Sequence, residues 1–223
     1  MALIFLVRHG QASFGQQHYD RLSDLGRQQS RWLGTYLCER GLGFSRVMAG
    51  ELSRQQDTAH EVMAGLGVDL PIAVHAGLNE YDGEALYRAH TDGADPIGHQ
   101  CQDARGYWRV FRSAYEAWTC GGLPRAAESW SEFGARIDAA LSAAIEGLSR
   151  DEAVLVVSSG GVIGRIVASL LGAPNQAAIE LNLQCRNASF CEIVASSRGM
   201  RLLSFNSIPH LDQVGRRESI THT

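Results

Sequence analysis

Hydrophobic residues along the chain form short continuous runs that alternate with longer segments of mixed polarity. Continuous apolar runs of about four to eight residues are typical of strands buried on both faces of a parallel sheet. Longer stretches with apolar residues every three or four positions predict helices that cover such a sheet. The alternation predicts a three-layer α/β/α fold with a mainly parallel central sheet. The predicted strands are 3–7, 46–49, 72–75, 153–158, 188–195 and 201–205.

Helices are predicted between these strands over 24–40, 52–64, 130–148 and 161–171. The segment 130–148 has the clearest one-sided pattern. Ser129 and Glu132 form a capping-box pattern at its start, because their side chains can satisfy each other's backbone amides.

The segment 81–127 does not fit the alternation, since it mixes Gly, Asp, His and Trp and has weak periodicity. Long irregular segments inside a compact domain are usually functional. We therefore predict a single domain, 1–223, with a helical cap inserted at about 81–127 over the carboxyl edge of the sheet. The alternative is a side wall that only packs. The polar tail, 215–223, is predicted to be frayed.

The aromatic residues of this segment lie at approximate helical spacing. They are more typical of a core than of a ligand stack, although an exposed face among them could support a homodimer. The residues concerned are Tyr107, Trp108, Phe111, Tyr115 and Trp118.

Composition narrows the functional class. With 20 Lys+Arg against 24 Asp+Glu, the net charge of −4 argues against a nucleic-acid partner but allows a local cationic pocket. Five cysteines without a CxxC pair, and scattered histidines, favour neither disulfides nor a metal site. The apolar runs are shorter than the roughly 18 residues of a membrane span, and no leader is evident. We expect a cytoplasmic protein with no membrane partner.

Arg8, His9 and Gly10 directly follow the first predicted strand. In open α/β sheets, ligands bind outside the carboxyl ends of the strands. An imidazole there can be a nucleophile, a base or a metal ligand, and the arginine offers a planar fork for phosphate or carboxylate. Glycine allows the backbone to pass close to a ligand. The alternative is a histidine that is merely packed at a strand end.

The segments LVRHGQAS, LSDLGRQQSRWLG, ELSRQQDTA and LNE, in this order, closely resemble the histidine phosphatase superfamily, also called phosphoglycerate mutase-like. The resemblance implies that His9 is the nucleophile and forms a phosphohistidine. It also implies that Arg8 and Arg54 hold the phosphoryl oxygens. Because phosphoryl transfer mainly needs positioning and cations around those oxygens, no cofactor is expected.

The resemblance further implies that Glu80 is the general acid that protonates the departing alcohol. A loop glutamate paired with an arginine is the alternative. Asp82 could share the pocket, in which case the two like charges would push one pKa upward. Gln11, Ser13 and Phe14 follow the nucleophile and could line the substrate pocket or only pack the loop.

Ser159 departs from the family pattern, because members commonly carry histidine at this position before the glycines. Serine brings a hydroxyl but no charge, while Gly160 and the following helix start still offer backbone amides to an anion. Losing one oxyanion donor typically costs ~3 kcal/mol. His18, His90 and His99 are candidate substitutes.

The leading hypothesis is a phosphatase acting on a small-molecule phosphomonoester. A phosphoglycerate-mutase-type enzyme is the first alternative. The glycolytic mutases of the superfamily carry a Trp-Asn pair soon after RHG, whereas this chain has Ser13, Phe14 and Gly15 there. The second alternative, favoured by Ser159, is a low-activity protein that binds phosphorylated ligands.

Overall fold

The computed structural model describes residues 1–13, 20–93 and 104–222. Its strands in chain order are β1 (Ala2–Arg8), β2 (Arg46–Ala49), β3 (Ile72–Val74), β4 (Ala153–Ser158), β5 (Phe190–Ser196) and β6 (Gly199–Ser207). They form one six-stranded sheet in the order β3-β2-β4-β1-β5-β6. The first four strands are parallel, and β5 pairs antiparallel with both β1 and β6. The predicted α/β fold with a mainly parallel sheet is confirmed.

The helices within the described residues are α1 (Asp24–Glu39), α2 (Ser53–Leu66), α3 (Gly83–His90), α4 (Ala104–Thr119), α5 (Trp130–Ile145), α6 (Gly160–Leu170) and α7 (Ala177–Gln184). The capping box of Ser129 and Glu132 at the start of α5 is confirmed. The sequence analysis missed α7, because this short helix has no one-sided apolar pattern and buries only Ala178 and Ile179.

Two hydrophobic cores lie on opposite faces of the sheet. Side chains alternate between the faces of a strand, so Ile4 and Leu6 of β1 join one core while Phe5 and Val7 join the other. The first core is covered by α4, α5 and α6, and the second by α1 and α2. This accounts for the continuous apolar runs, since both faces of the central strands are covered.

The segment predicted as a cap contains α3 and α4, which pack together. Phe111, Tyr115 and Trp118 of α4 are buried in the first core, as expected for core aromatics. Trp108 differs, because 45% of its surface is exposed.

The prediction of a frayed tail is wrong for the described residues up to 222. The backbone amide of Asn187 donates to the carbonyl of Thr221 at 2.9 Å, and the Gln29 side chain donates to the carbonyl of Ser219 at 2.6 Å. The polar composition of the tail indicated solvation, but buried amide side chains elsewhere in the fold supply its hydrogen-bond partners. Among the helices in the described ranges, none combines the length and apolar character needed to cross a bilayer.

Candidate active site

The candidate site lies at the edge of the sheet where the parallel strands end. Arg8 at the end of β1 is paired with Ser158 at the end of β4. The backbone amide of His9 donates to the carbonyl of Ser158 at 2.9 Å, which fixes the histidine just beyond the strand. Helix α2 follows β2 at the same edge and carries Arg54 in its first turn. Parallel pairing of the strands therefore brings the segment LVRHGQAS, which contains His9, close to the segment ELSRQQDTA, which contains Arg54.

Gly10 is required by packing between elements. A Cβ atom at this position would lie 2.4 Å from the carbonyl oxygen of Gly26 on α1. The Gly10 amide donates to Oγ1 of Thr58 on α2 at 3.0 Å. The loop after His9 is thus held between two helices, a different reason for glycine from the close ligand approach that we predicted.

His9 is a buried, neutral imidazole. Its Nδ1 lies 2.8 Å from the carbonyl oxygen of Gly10, and its Nε2 lies 3.3 Å from Nε of Arg54. A carbonyl only accepts and a guanidinium only donates, so the proton is on Nδ1 and the lone pair is on Nε2. Burial, followed by the charges of Arg8 and Arg54, holds the pKa of His9 well below its usual range, although the bond to Gly10 opposes this shift. Such an imidazole can act as a nucleophile.

Arg8 is oriented by backbone carbonyls. Its Nη1 donates to the carbonyls of Cys185 and His222, the second at 2.8 Å, which uses both Nη1 hydrogens. Its Nε is buried and has no hydrogen-bond partner within the described residues. The Nε–Nη2 edge of a guanidinium is suited to bidentate binding of an oxyanion. Arg8 can therefore hold phosphoryl oxygens, as the resemblance implied.

Arg54 is fixed by Asp20. Its Nη1 donates to Oδ1 of Asp20 at 2.8 Å, and Oδ2 of Asp20 accepts from the amide of Ser53 at 2.8 Å. Thr58, one turn later, donates its hydroxyl to the carbonyl of Arg54 at 2.7 Å. Sequence reasoning missed both supports. The four-residue spacing of Thr58 from Arg54 was an available signal, whereas Asp20 comes from a separate segment and gave none.

Glu80 is held by two backbone amides. Its Oε2 accepts from Gly161 at 2.9 Å and its Oε1 accepts from Tyr81 at 3.2 Å. A Cβ atom on residue 161 would lie 2.3 Å from Oε1, which explains the glycine. Burial raises the pKa of Glu80 above its ordinary value, against the opposing effects of the Gly161 amide, Arg54 and the Tyr81 amide. A carboxyl group of this kind can donate a proton.

Asp82, which we considered as a second carboxylate that could share the pocket, is the N-cap of α3. It is exposed, and its side chain accepts from the amide of Ala85 at 2.9 Å, capping α3. The pKa of Glu80 is raised by burial, so no second carboxylate is needed to explain it.

Ser159 is fully buried at the start of α6. The Nε2 atom of Gln55 donates to its Oγ at 2.8 Å, and Gln55 is fully buried as well. Two uncharged side chains therefore occupy the place where the family commonly carries an imidazole. Gly160 is the first residue of α6, and the first amides of a helix have no acceptor within the helix and can serve an anion. The Gly161 amide already donates to Glu80.

The other predicted pocket residues make loop contacts. The Gln11 side chain accepts from the hydroxyl of Ser23 at 2.9 Å, and the Ser13 amide donates to the carbonyl of Arg21 at 2.8 Å. His90 lies in the last turn of α3. Phe14, His18 and His99 lie outside the described residues. Across residues 1–13, 20–93 and 104–222, no group of three or more His, Cys, Asp or Glu side chains is arranged to hold a metal ion.

Comparison with known proteins gives consistent results. Residues 4–208 match the profile of the histidine phosphatase superfamily (branch 1). The chain is 30% identical over 199 residues to a probable phosphoglycerate mutase, GpmB, of Enterobacter sp. (strain 638). The aligned region covers 86% of this chain and 85% of the relative.

Two solved structures illustrate the likeness in fold. A putative alpha-ribazole-5'-P phosphatase from Escherichia coli str. K-12 substr. MG1655 has a TM-score of 0.67 and 25% identity, covering 92% of this chain and 96% of that one. A phosphoglycerate mutase from Bacillus anthracis str. Sterne has a TM-score of 0.67 and 20% identity, covering 94% of each chain. The chain belongs to the histidine phosphatase superfamily.

Proposed function

We propose that this protein is a phosphomonoester hydrolase that forms a phosphohistidine on His9 and needs no metal or other cofactor. The observation that carries the proposal is the unprotonated Nε2 of His9, 3.3 Å from Nε of Arg54. A nucleophilic nitrogen next to a cation is what attack on an anionic phosphoryl group requires. Arg8, Arg54 and the Gly160 amide supply positive charge around the transferred oxygens without a metal.

The reaction divides into two transfers. In the first, Nε2 of His9 attacks phosphorus in line, the bond from phosphorus to the alcohol oxygen breaks, and Glu80 gives that oxygen its proton. In the second, the Glu80 carboxylate takes a proton from water while the water oxygen attacks phosphorus. The phosphorus–nitrogen bond then breaks, which releases inorganic phosphate and restores both side chains.

The substrate proposed is a small-molecule phosphomonoester, with the segment 81–127 acting as the cap that contacts its leaving group. Glu80 and Tyr81 connect the site to this segment, since the Tyr81 ring lies 6.4 Å from that of Phe111 on α4. The phosphatase named in the Escherichia coli structure supports hydrolysis. The name of the Enterobacter relative supports a mutase. Assaying 3-phosphoglycerate for both phosphate release and isomer formation separates these two reactions.

A second candidate function is binding of phosphorylated ligands with little turnover. The uncharged Gln55–Ser159 pair supports it, because the pocket has one cation fewer than the family pattern. Vigorous hydrolysis of aryl phosphates by the wild-type protein would eliminate this candidate.

The decisive experiment is rapid quenching in alkali after mixing the protein with p-nitrophenyl phosphate that carries a radiolabelled phosphoryl group. The proposal predicts an alkali-stable, acid-labile label on the wild-type protein that turns over with phosphate release. His9→Ala should show neither label nor release. His60→Ala, which removes an exposed histidine on α2, serves as the matched control. Unchanged turnover in His9→Ala would rule out the mechanism.

A further inference from the structure

Two buried amide side chains connect the C-terminal segment 219–222 to the candidate active site at the edge of the sheet. Gln29 of α1 and Asn187, just before β5, are both fully buried. Gln29 contacts the backbone amide of Gln11 in the loop after His9, and Asn187 contacts the backbone carbonyl of His9. Thr221 lies between these two amides and contacts both.

The direction of each hydrogen bond in this connection is fixed. The backbone amide of Gln11 donates to Oε1 of Gln29 at 2.9 Å, so the Nε2 side of Gln29 faces the tail. Nε2 donates to the carbonyl of Ser219 at 2.6 Å and to Oγ1 of Thr221 at 3.0 Å. The Thr221 hydroxyl therefore accepts one hydrogen bond, and its own hydrogen must point to a different acceptor.

That acceptor is Asn187. The Thr221 hydroxyl donates to Oδ1 of Asn187 at 2.8 Å, which turns Nδ2 of Asn187 toward the carbonyl oxygen of His9 at 3.3 Å. The backbone amide of Asn187 donates to the carbonyl of Thr221 at 2.9 Å, which holds the two residues together. The next tail carbonyl, of His222, accepts from Nη1 of Arg8 at 2.8 Å. Both members of the Arg8–His9 pair are thus connected to the same short segment.

We propose that Thr221 is a positioning residue for His9, acting through Asn187 and without touching substrate. Its hydroxyl accepts from Gln29, whose orientation the Gln11 amide already fixes, and it therefore donates to Asn187 and selects the orientation of that amide. Without the hydroxyl, Oδ1 of Asn187 loses its hydrogen-bond donor. The Asn187 amide is then no longer held in the orientation that places Nδ2 next to the carbonyl oxygen of His9. The inference rests on the proposed function only in taking His9 as the phosphoryl carrier.

The test compares Thr221→Val with Thr221→Ser in the full-length chain. Valine keeps the shape and removes the hydroxyl, and we expect kcat to fall about tenfold with KM changed less than about twofold, the size expected for one buried hydrogen bond. Serine restores the hydroxyl and should recover most of kcat. Thr35→Val, which removes an exposed threonine hydroxyl bonded to Arg31 on α1, is the matched control. Thr221→Ala gives the same loss of hydroxyl should the valine variant unfold.

A readout independent of turnover is the long-range proton–nitrogen NMR spectrum of the His9 imidazole. Thr221→Val should shift or broaden the ring nitrogen signals, and Thr221→Ser should return them to the wild-type positions. Wild-type ring signals and wild-type kcat in Thr221→Val would overturn the proposal. If the wild-type protein forms no phosphohistidine, the proposed function fails, while the ring spectrum still decides whether Thr221 positions His9.

Discussion

The side-chain amide of Gln55 lies 2.8 Å from the hydroxyl oxygen of Ser159, and both residues are fully buried. The amide orientation is fixed because Nε2 also donates to the carbonyl of Leu78 at 3.0 Å, and a carbonyl can only accept. The same carbonyl accepts from the hydroxyl of Ser158 at 2.7 Å. Gln55 and Ser159 therefore form one packed unit at the position where the family commonly places histidine.

This unit predicts that Ser159→His alone does not restore a better site. The imidazole would have to enter space that the Gln55 amide fills, and overpacking of this kind costs about 1–3 kcal/mol of stability. The double variant Gln55→Ala with Ser159→His removes the obstruction and adds a donor, so kcat should rise by about one to two powers of ten. Phosphate release and thermal unfolding of both variants check this. An equal rise in kcat in Ser159→His alone, without loss of stability, would show that the Gln55 amide does not obstruct an imidazole at position 159.

The dependence of kcat on pH should be bell-shaped, with His9 setting the acid limb and Glu80 setting the alkaline limb. His9 must be unprotonated to attack, and its pKa is held well below 6.5 by burial and by the charges of Arg8 and Arg54. Glu80 must be protonated to donate, and burial raises its pKa above 4.5. Activity is therefore highest between the lowered pKa of His9 and the raised pKa of Glu80, and it falls on both sides of that window.

Glu80→Gln provides the check on this assignment. Glutamine keeps the shape but cannot release a proton, so kcat on a poor leaving group should fall and the alkaline limb of the profile should disappear. The acid limb, which reports His9, should remain. An unchanged alkaline limb would remove Glu80 from the role of general acid.

Asp20→Asn tests the support of Arg54. The Asp20 carboxylate holds both Nη1 of Arg54 and the first amide of α2, but 41% of its side chain is exposed. Discounting for solvent screening, we expect a loss of about 1 kcal/mol, or roughly fivefold weaker inhibition by inorganic phosphate. Asp57→Asn, which breaks the pair of Asp57 with Arg27 on the neighbouring helix, is the control. Equal phosphate inhibition constants for Asp20→Asn and the wild type would show that Arg54 needs no such support.

His210 should make the protein less stable in acid. It is fully buried, and burial followed by the charge of Arg216 lowers its pKa from 6.5 to about 3, with the backbone of Ala188 opposing. Between these values the unfolded chain binds a proton that the folded chain does not. The free energy of unfolding therefore falls with pH below about 6.5, by up to about 1.4 kcal/mol per pH unit, until about pH 3.

Urea unfolding of His210→Leu at pH 7 and pH 5 measures this contribution. The variant should lose about 2 kcal/mol less than the wild type over that interval. His60→Leu, at an exposed position on α2, is the matched control. Identical losses in the wild type and His210→Leu would show that the ring of His210 is not the group responsible.

The sequence by itself determined most of the helices and strands, although not α7, and it located the ends of the strands where the candidate site lies. Continuous apolar runs predict strands covered on both faces, and β1, β2 and β4 lie where these runs are. Placing His9 directly after such a run is a local property, because the residue after a buried strand must emerge at the edge of the sheet. The capping box at Ser129 is equally local, since it involves residues three apart.

Only the tertiary structure decided which hydrogen-bond partners surround His9 and Ser159 at that edge of the sheet. Which nitrogen of His9 carries the proton depends on Gly10 and on Arg54, 45 residues away. Ser159 meets Gln55 across 104 residues, and the contacts of the tail span still longer separations. Hydrogen-bond partners far apart in the chain leave no periodic trace, because their pairing depends on the packing of whole helices against the sheet. A polar tail and a buried polar network therefore have the same composition in sequence, and the fold alone distinguishes them.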